Sequence, residues 1–119
     1  MNCTSLALTS LPDGITSIGP RTFEDCASLA LISLPDGLAS IGAFAFDCCT
    51  TLALTSLPNG LTSIGDYAFA NCTSLALTSL PDGLTSIGNE AFYTDILVCV
   101  AVNTQRQLRR LRKQLQRLI

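Results

Sequence analysis

A repeat solenoid of stacked coils is the fold this chain predicts, on three observations. The first is a fixed period. At a shift of 23 residues, Cys3, Cys26, Cys49 and Cys72 fall in register, as do Leu6, Leu29, Leu52 and Leu75, Pro12, Pro35, Pro58 and Pro81, and Phe23, Phe46, Phe69 and Phe92. A period in the twenties marks one coil per copy, each stacked on the last. The second is which positions repeat: in the third copy the invariant residues are Cys49, Leu52, Ala53, Leu54, Ser56, Leu57, Pro58, Gly60, Ser63, Ile64, Gly65 and Phe69, nearly all apolar or turn-forming. The third is composition. Hydrophobic residues make up 48% of the 119 and aromatics only 6%, with no Trp, so leucine and isoleucine must form the core. Residues 2–93 hold four copies, and residues 94–119 form a different, non-repeating segment.

Each element of the coil follows from its residues. LALTSLP is the strand candidate, because it is short, bounded by Pro, and alternates apolar residues at its start. Leu52 and Leu54 share one face, while Leu57 is out of phase; a bend or bulge near Ser56 would return it to the core. The next piece, Pro-Asp-Gly (Pro58-Asn59-Gly60 in the third copy), reads as a turn, with glycine supplying a positive φ. LTSIG then forms a second short extended side with Leu and Ile inward. Ala68 and Phe69 are expected in a short helical or 3₁₀ corner, the Phe plugging the coil. No coil buries its Leu/Ile layer alone, so stability comes from stacking.

The four repeated cysteines should form a column about 5 Å apart, the spacing of neighbouring strands. Small buried thiols, still reduced, are the expectation, with Cys48 the most exposed. The column Asp13, Asp36, Asn59 and Asp82 is accounted for by turn chemistry. The chain has no His and no CxxC pair, so no metal is expected. Without His, and with no Ser or Cys beside an activating partner, no catalytic residue is expected either. PDGLTSIG has neither the glycine spacing nor the lysine of a phosphate loop, and no cofactor is expected.

Charge divides the chain. Residues 1–95 carry all nine acids against Arg21 alone, a net −8; residues 96–119 carry Arg106, Arg109, Arg110, Arg112, Lys113 and Arg117 and no acid, a net +6. In NTQRQLRRLRKQLQRLI, Leu108, Leu111, Leu115 and Leu118 follow a 3-4-3 spacing, one stripe of an amphipathic helix. Its readings are a cap over the last coil, a short dimer seam, a surface helix on anionic membrane, or a ligand for a calmodulin-like groove, with Arg109, Arg110, Arg112 and Lys113 the candidate contacts. Nucleic acid is not an expected partner, since the repeat body is acidic and the tail lacks aromatics. The apolar run Ile96–Val102 reads as a strand or as the start of the helix. It falls well short of the about 20 residues that span a bilayer. With no secretory leader apparent before the first copy, the expected location by default is cytoplasmic.

The pattern L…LPDGLTSIGxxAFxxC resembles the BspA-type leucine-rich repeat, also called the Treponema pallidum type, over about 92 residues. The resemblance implies a right-handed leucine-rich-repeat solenoid used for adhesion or other protein contacts. One departure is local: a position usually apolar in that family is Thr9, Thr55 and Thr78 here, with only Ile32 conforming, and an extra leucine one place earlier (Leu8, Leu31, Leu54, Leu77) stands in for it.

Where copies differ, contacts can be selective. The first position after the IG glycine reads Pro20, Ala43, Asp66, Asn89; the second Arg21, Phe44, Tyr67, Glu90; the residue after Phe reads Glu24, Asp47, Ala70, Tyr93. Arg21, Phe44, Tyr67, Glu90, Asp66 and Asn89 are the candidate partner-binding residues of a non-enzymatic interaction scaffold. The competing reading is recognition of a lattice, ice or glycan, by columns through Thr55, Ser56, Thr62 and Ser63. Terminal coils need polar caps, and the first copy offers none, so self-association through the N-terminal coil is also expected.

Overall fold

A computed structural model of the chain describes residues 8–77, 79–94 and 113–116. Four two-residue strands, β1 (Ser17–Ile18), β2 (Ser40–Ile41), β3 (Ser63–Ile64) and β4 (Ser86–Ile87), form one parallel sheet in the order β1-β2-β3-β4. The register is 23 residues at every step, as in Ile41 opposite Ile64. The period seen in the sequence is thus the physical period of the stack.

The sheet corrects the choice of strand. It runs through LTSIG, whereas LALTSLP is irregular and bends at Ile32 and Thr55. The bend disposes of the out-of-phase leucine: Leu54 and Leu57, before and after it, are both buried, and Thr55 points outward. It also interrupts the even spacing that a ladder needs, and the following Pro has no N–H to give. Inter-coil bonds are therefore sparse on this side (Ala30 N–H to Leu8 C=O, Ala76 N–H to Leu54 C=O). Along LTSIG the bonds recur in every coil, Gly42 N–H to Ile18 C=O, Gly65 to Ile41 and Gly88 to Ile64, each at 2.8 Å. The extra leucines Leu31, Leu54 and Leu77 face inward and are buried, while Ile32 is 76% exposed.

The turn glycines also differ from expectation. Each of these turns closes through a bond from the residue after glycine to the Pro carbonyl, such as Leu38 N–H to Pro35 C=O at 3.1 Å. No described glycine has a positive φ. The glycine that the stack does require is the one ending LTSIG. A Cβ on Gly65 would lie 2.5 Å from Ala43 N and 2.7 Å from Gly42 C of the coil below. Coils approach so closely at this point that only hydrogen fits.

The corner is neither helical nor 3₁₀. It is a run of turns in which two non-glycine residues per coil take positive φ: Arg21, Phe44, Tyr67 and Glu90 at one position, Asp25, Cys48, Asn71 and Thr94 at the other. Alternate amides are thereby aimed along the stack. Phe44, Phe46 and Cys48 donate to Asp66, Ala68 and Ala70 of the next coil, while Ala45 and Asp47 close local turns on Gly42 and Phe44. A helix would keep all these bonds within its own coil and leave the corners unjoined.

The core is the stacked inner layer. Leu29, Leu31, Leu38, Phe46, Leu52, Leu54, Leu61 and Phe69 have no exposed area. The Phe residues stack face to face through all four coils, with centroids 5.4, 5.2 and 5.4 Å apart from Phe23 to Phe92 and planes within 14°. Coverage is thinner in the first coil, where Leu8 is 38% exposed and Leu11, Ile15 and Phe23 are only partly buried.

The cysteine column is not uniformly reduced. Cys26 is disulfide-bonded, to a partner outside the described residues, and Cys48, Cys49 and Cys72 are free. A coil rise just over 5 Å lies within the Cα separations that a disulfide can span, so equivalent cysteines on adjoining coils are close enough to join. The two buried free thiols are used differently: Cys49 and Cys72 donate through Sγ to the carbonyls of Phe23 and Phe46, each at 3.0 Å. Burial is the main cause that pushes the Cys49 thiol up to about 12, and it moves Cys72 in the same direction.

Residues 113–116 are helical and exposed. Arg109, Arg110 and Arg112, Cys3, Cys99 and the run 96–102 lie outside the described residues. No helix among the described residues is long and apolar enough to cross a membrane.

Candidate interaction surface at the corner

The corner turns set the side chains of the variable positions outside the coil. An L-residue at φ near 60° presses its Cβ toward the following carbonyl, at a cost of roughly 1–2 kcal/mol that glycine avoids and Asn or Asp reduces. Asp25 and Asn71 fit this conformation. Phe44 (φ 58°) and Tyr67 (φ 56°) do not, yet both occupy it.

These side chains form a ladder along the stack. The Arg21 guanidinium lies 4.3 Å from the Phe44 ring centroid. Phe44 and Tyr67 stack at 5.0 Å with planes 7° apart. Tyr93 then leans on Tyr67 at 6.5 Å and 55°. Phe44 and Tyr67 are half-buried, and Tyr93 is 48% exposed. Stacked pairs contribute about 0.5–1.5 kcal/mol each and an exposed cation–π contact about 0.5–1 kcal/mol, comparable to the backbone cost they offset.

Of the six candidate residues, the fold joins Arg21, Phe44 and Tyr67 directly. Glu90 is exposed at the same corner position. Asp66 and Asn89 serve the scaffold: the Asp66 carboxylate accepts the Asn89 N–H at 2.7 Å, bridging two coils. Tyr93 is the residue that reading position by position missed. The signal was there in the three-residue spacing between the second and third variable positions. The same spacing lets Arg21 pair with Glu24 in the first coil. The rim is acidic: Glu24, Asp25, Asp47, Asp66 and Glu90 share the corner with Arg21. Asn71 Nδ2 donates to Asp47 at 3.2 Å, a neutral donor that leaves the charge in place.

Cys48 sits among these acids. Its thiol is half-buried, with Sγ 3.5 Å from an Asp47 carboxylate oxygen. Burial first, then the Asp47 and Asp25 charges, push it up to about 11, so it is a poor nucleophile near neutral pH. Among the described residues no group of three or more acids and cysteines is placed to hold a metal.

The hydroxyl columns are less regular than their sequence suggests. Thr62 Oγ1 donates to Ala39 C=O at 3.0 Å and Thr85 Oγ1 to Thr62 C=O at 3.1 Å. Ala39 interrupts that column, and Thr78 lies outside the described residues. The Thr62 and Thr85 hydroxyls, spent between coils, are not free donors to a lattice.

The geometry defines a class, a parallel-stacked repeat solenoid with a decorated corner, and the comparisons identify the family. The BspA type leucine rich repeat region matches residues 1–114 in six copies, so the chain belongs to that family. In fold it is similar to the crystal structure of the T. pallidum leucine-rich repeat protein, at 39% identity and a TM-score of 0.57. That alignment covers 70% of this chain, which spans about 40% of the other's length. No curated protein matches the chain. Such repeats are, in general, protein-interaction scaffolds and typically not enzymes.

Proposed function

We propose that this chain binds a protein partner, as an adhesion or recognition module without catalysis, through the corner ladder Arg21–Phe44–Tyr67–Tyr93 and Glu90 beside it. The observation that carries the reading is bulky aromatics held at positive φ. Strain retained where Asn or Gly would remove it points to a use for those side chains, and the same turn forms around Arg21 and Glu90, so closing the coil does not require an aromatic there. Aromatic and Arg side chains on a fixed frame are the groups that dominate protein interfaces. The stacking spends the ring faces of Phe44 and Tyr67 on each other, which favours apolar side chains against their edges over sugars laid on their faces.

The test is photo-crosslinking in the source cell from a benzophenone amino acid replacing Tyr67, with a second chain carrying it at Asn59 on the turn. A partner captured from position 67 and not from 59 supports the corner. Equal capture from both, or from 59 alone, places the contact elsewhere.

A further inference from the structure

We infer that the occupant of this corner includes the tail of a second copy of the chain: residues 103–119 of one molecule laid along the ladder of the next. The inference rests on the corner being a contact surface, and adds what binds there. Three observations support it.

The first is charge. Among the described residues the corner carries the acids Glu24, Asp25, Asp47, Asp66 and Glu90 and the cation Arg21, whereas residues 103–119 carry six cations and no acid. The second is exposure among the described residues of both surfaces. The described part of the tail, residues 113–116, is helical and exposed throughout, including Leu115 at 59%, while Tyr93 stands 48% exposed on the corner. A leucine more than half exposed on a helical stripe calls for a further apolar surface.

The third is pitch. A helix advances about 5.4 Å per turn, so Leu108, Leu111, Leu115 and Leu118 span about 15 Å in three steps. The ladder advances in three steps of 4.3, 5.0 and 6.5 Å from Arg21 to Tyr93. A helix parallel to the stack therefore presents one leucine per coil. Its arginines on either side reach the carboxylate rim, and the tilted Tyr93 ring leaves a face for a guanidinium. Tail on corner is a contact between two different patches, so it adds copies head to tail.

The experiment uses the full-length chain in sedimentation velocity at tens of micromolar, in about 0.05 M and 0.5 M NaCl. Association at low salt, at least about tenfold weaker at high salt where the Debye length falls to about 4 Å, is expected. The triple variant Arg109→Glu, Arg110→Glu, Arg112→Glu should be monomeric in both. A fluorescent peptide of residues 103–119 should bind that monomeric variant, and at least about tenfold more weakly when Phe44→Ala and Tyr67→Ala are added. A monomeric wild-type chain overturns the inference, as does association unchanged or strengthened by the triple variant, which would assign self-contact to the N-terminal coil. Peptide binding indifferent to Phe44 and Tyr67 also overturns it. The broader reading fails separately, when crosslinks from position 67 capture no protein of any kind.

Discussion

Alanine at Gly65 should be among the most damaging small changes in this protein, and the same change at Gly19 should do no harm. Gly65 does not have a positive φ, so its backbone accepts alanine without strain. Gly→Ala at such a position ordinarily stabilises by about 0.4–1 kcal/mol, because the unfolded chain loses freedom. The neighbouring coil reverses the sign. The new Cβ would lie 2.5, 2.7 and 2.9 Å from Ala43 N, Gly42 C and Ala43 Cα, all backbone atoms that no side-chain rotation can clear. Ordinary contact starts near 3.4 Å, so the coils must part by most of an ångström. That stretches Gly65 N–H to Ile41 C=O and Phe44 N–H to Asp66 C=O, now 2.8 and 2.9 Å, and loosens the Phe46–Phe69 stack beside them. Two weakened hydrogen bonds at about 1 kcal/mol each, with a core loosened on both sides, give a loss of about 2–4 kcal/mol. Gly42→Ala meets Pro20 N and Gly19 C at 2.6 and 2.7 Å and should cost the same. At Gly19 the nearest atom is Thr22 Oγ1 at 3.4 Å, leaving only the stabilising contribution. Urea denaturation followed by circular dichroism reads the difference as a shift in midpoint at constant slope. If Gly65→Ala and Gly19→Ala unfold at the same midpoint, close stacking is not why the glycine recurs.

Phe46→Ala and Phe69→Ala each empty a fully buried site between two stacked rings and should cost roughly 3–5 kcal/mol, whereas Phe23→Ala, in the half-covered first coil, should cost less; equal midpoints for all three would mean the column does not bear the core. Stability should fall with alkali: the folded Cys49 thiol lies near 12 against an ordinary 9.0, with Cys72 shifted the same way, so their contribution is intact below pH 9 and lost as pH rises toward 12. At pH 10 the two together should lower stability by about 3 kcal/mol relative to pH 7, and Cys49→Ala with Cys72→Ala should flatten that slope while lowering the baseline; a wild-type loss below about 1 kcal/mol at pH 10 would contradict buried, protonated thiols. Cys48→Asn puts a residue suited to positive φ where Cys48 now sits at 62°, as Asn71 does one coil on, and should raise stability by about 0.5–1 kcal/mol in urea; a lower midpoint would show that the Asp47 contact matters more than the backbone.

The sequence by itself determined the architecture. A 23-residue period with invariant leucines and one invariant Phe position has one economical solution, coils stacked in register, because no copy can bury its apolar layer alone. It also determined which residues are free to differ, and those are the residues found at the corner. What it could not determine was how each coil joins the next. Strand propensity favoured LALTSLP, yet the ladder runs through Ser63-Ile64, since a parallel bond needs an unbent partner at the right height and the bend at Thr55 removes it. Phe46-type residues read as a helical corner, yet turning alternate amides toward the neighbouring coil satisfies bonds that a helix would keep to itself. Gly65 read as punctuation and proves to be a point of contact between backbones. Whether Cys26 was a thiol or half of a disulfide, and that Tyr93 would lean over Tyr67, depended on distances between coils. Local preference acts within one copy of the repeat; these features are set by the approach of two copies, which only the tertiary structure decides.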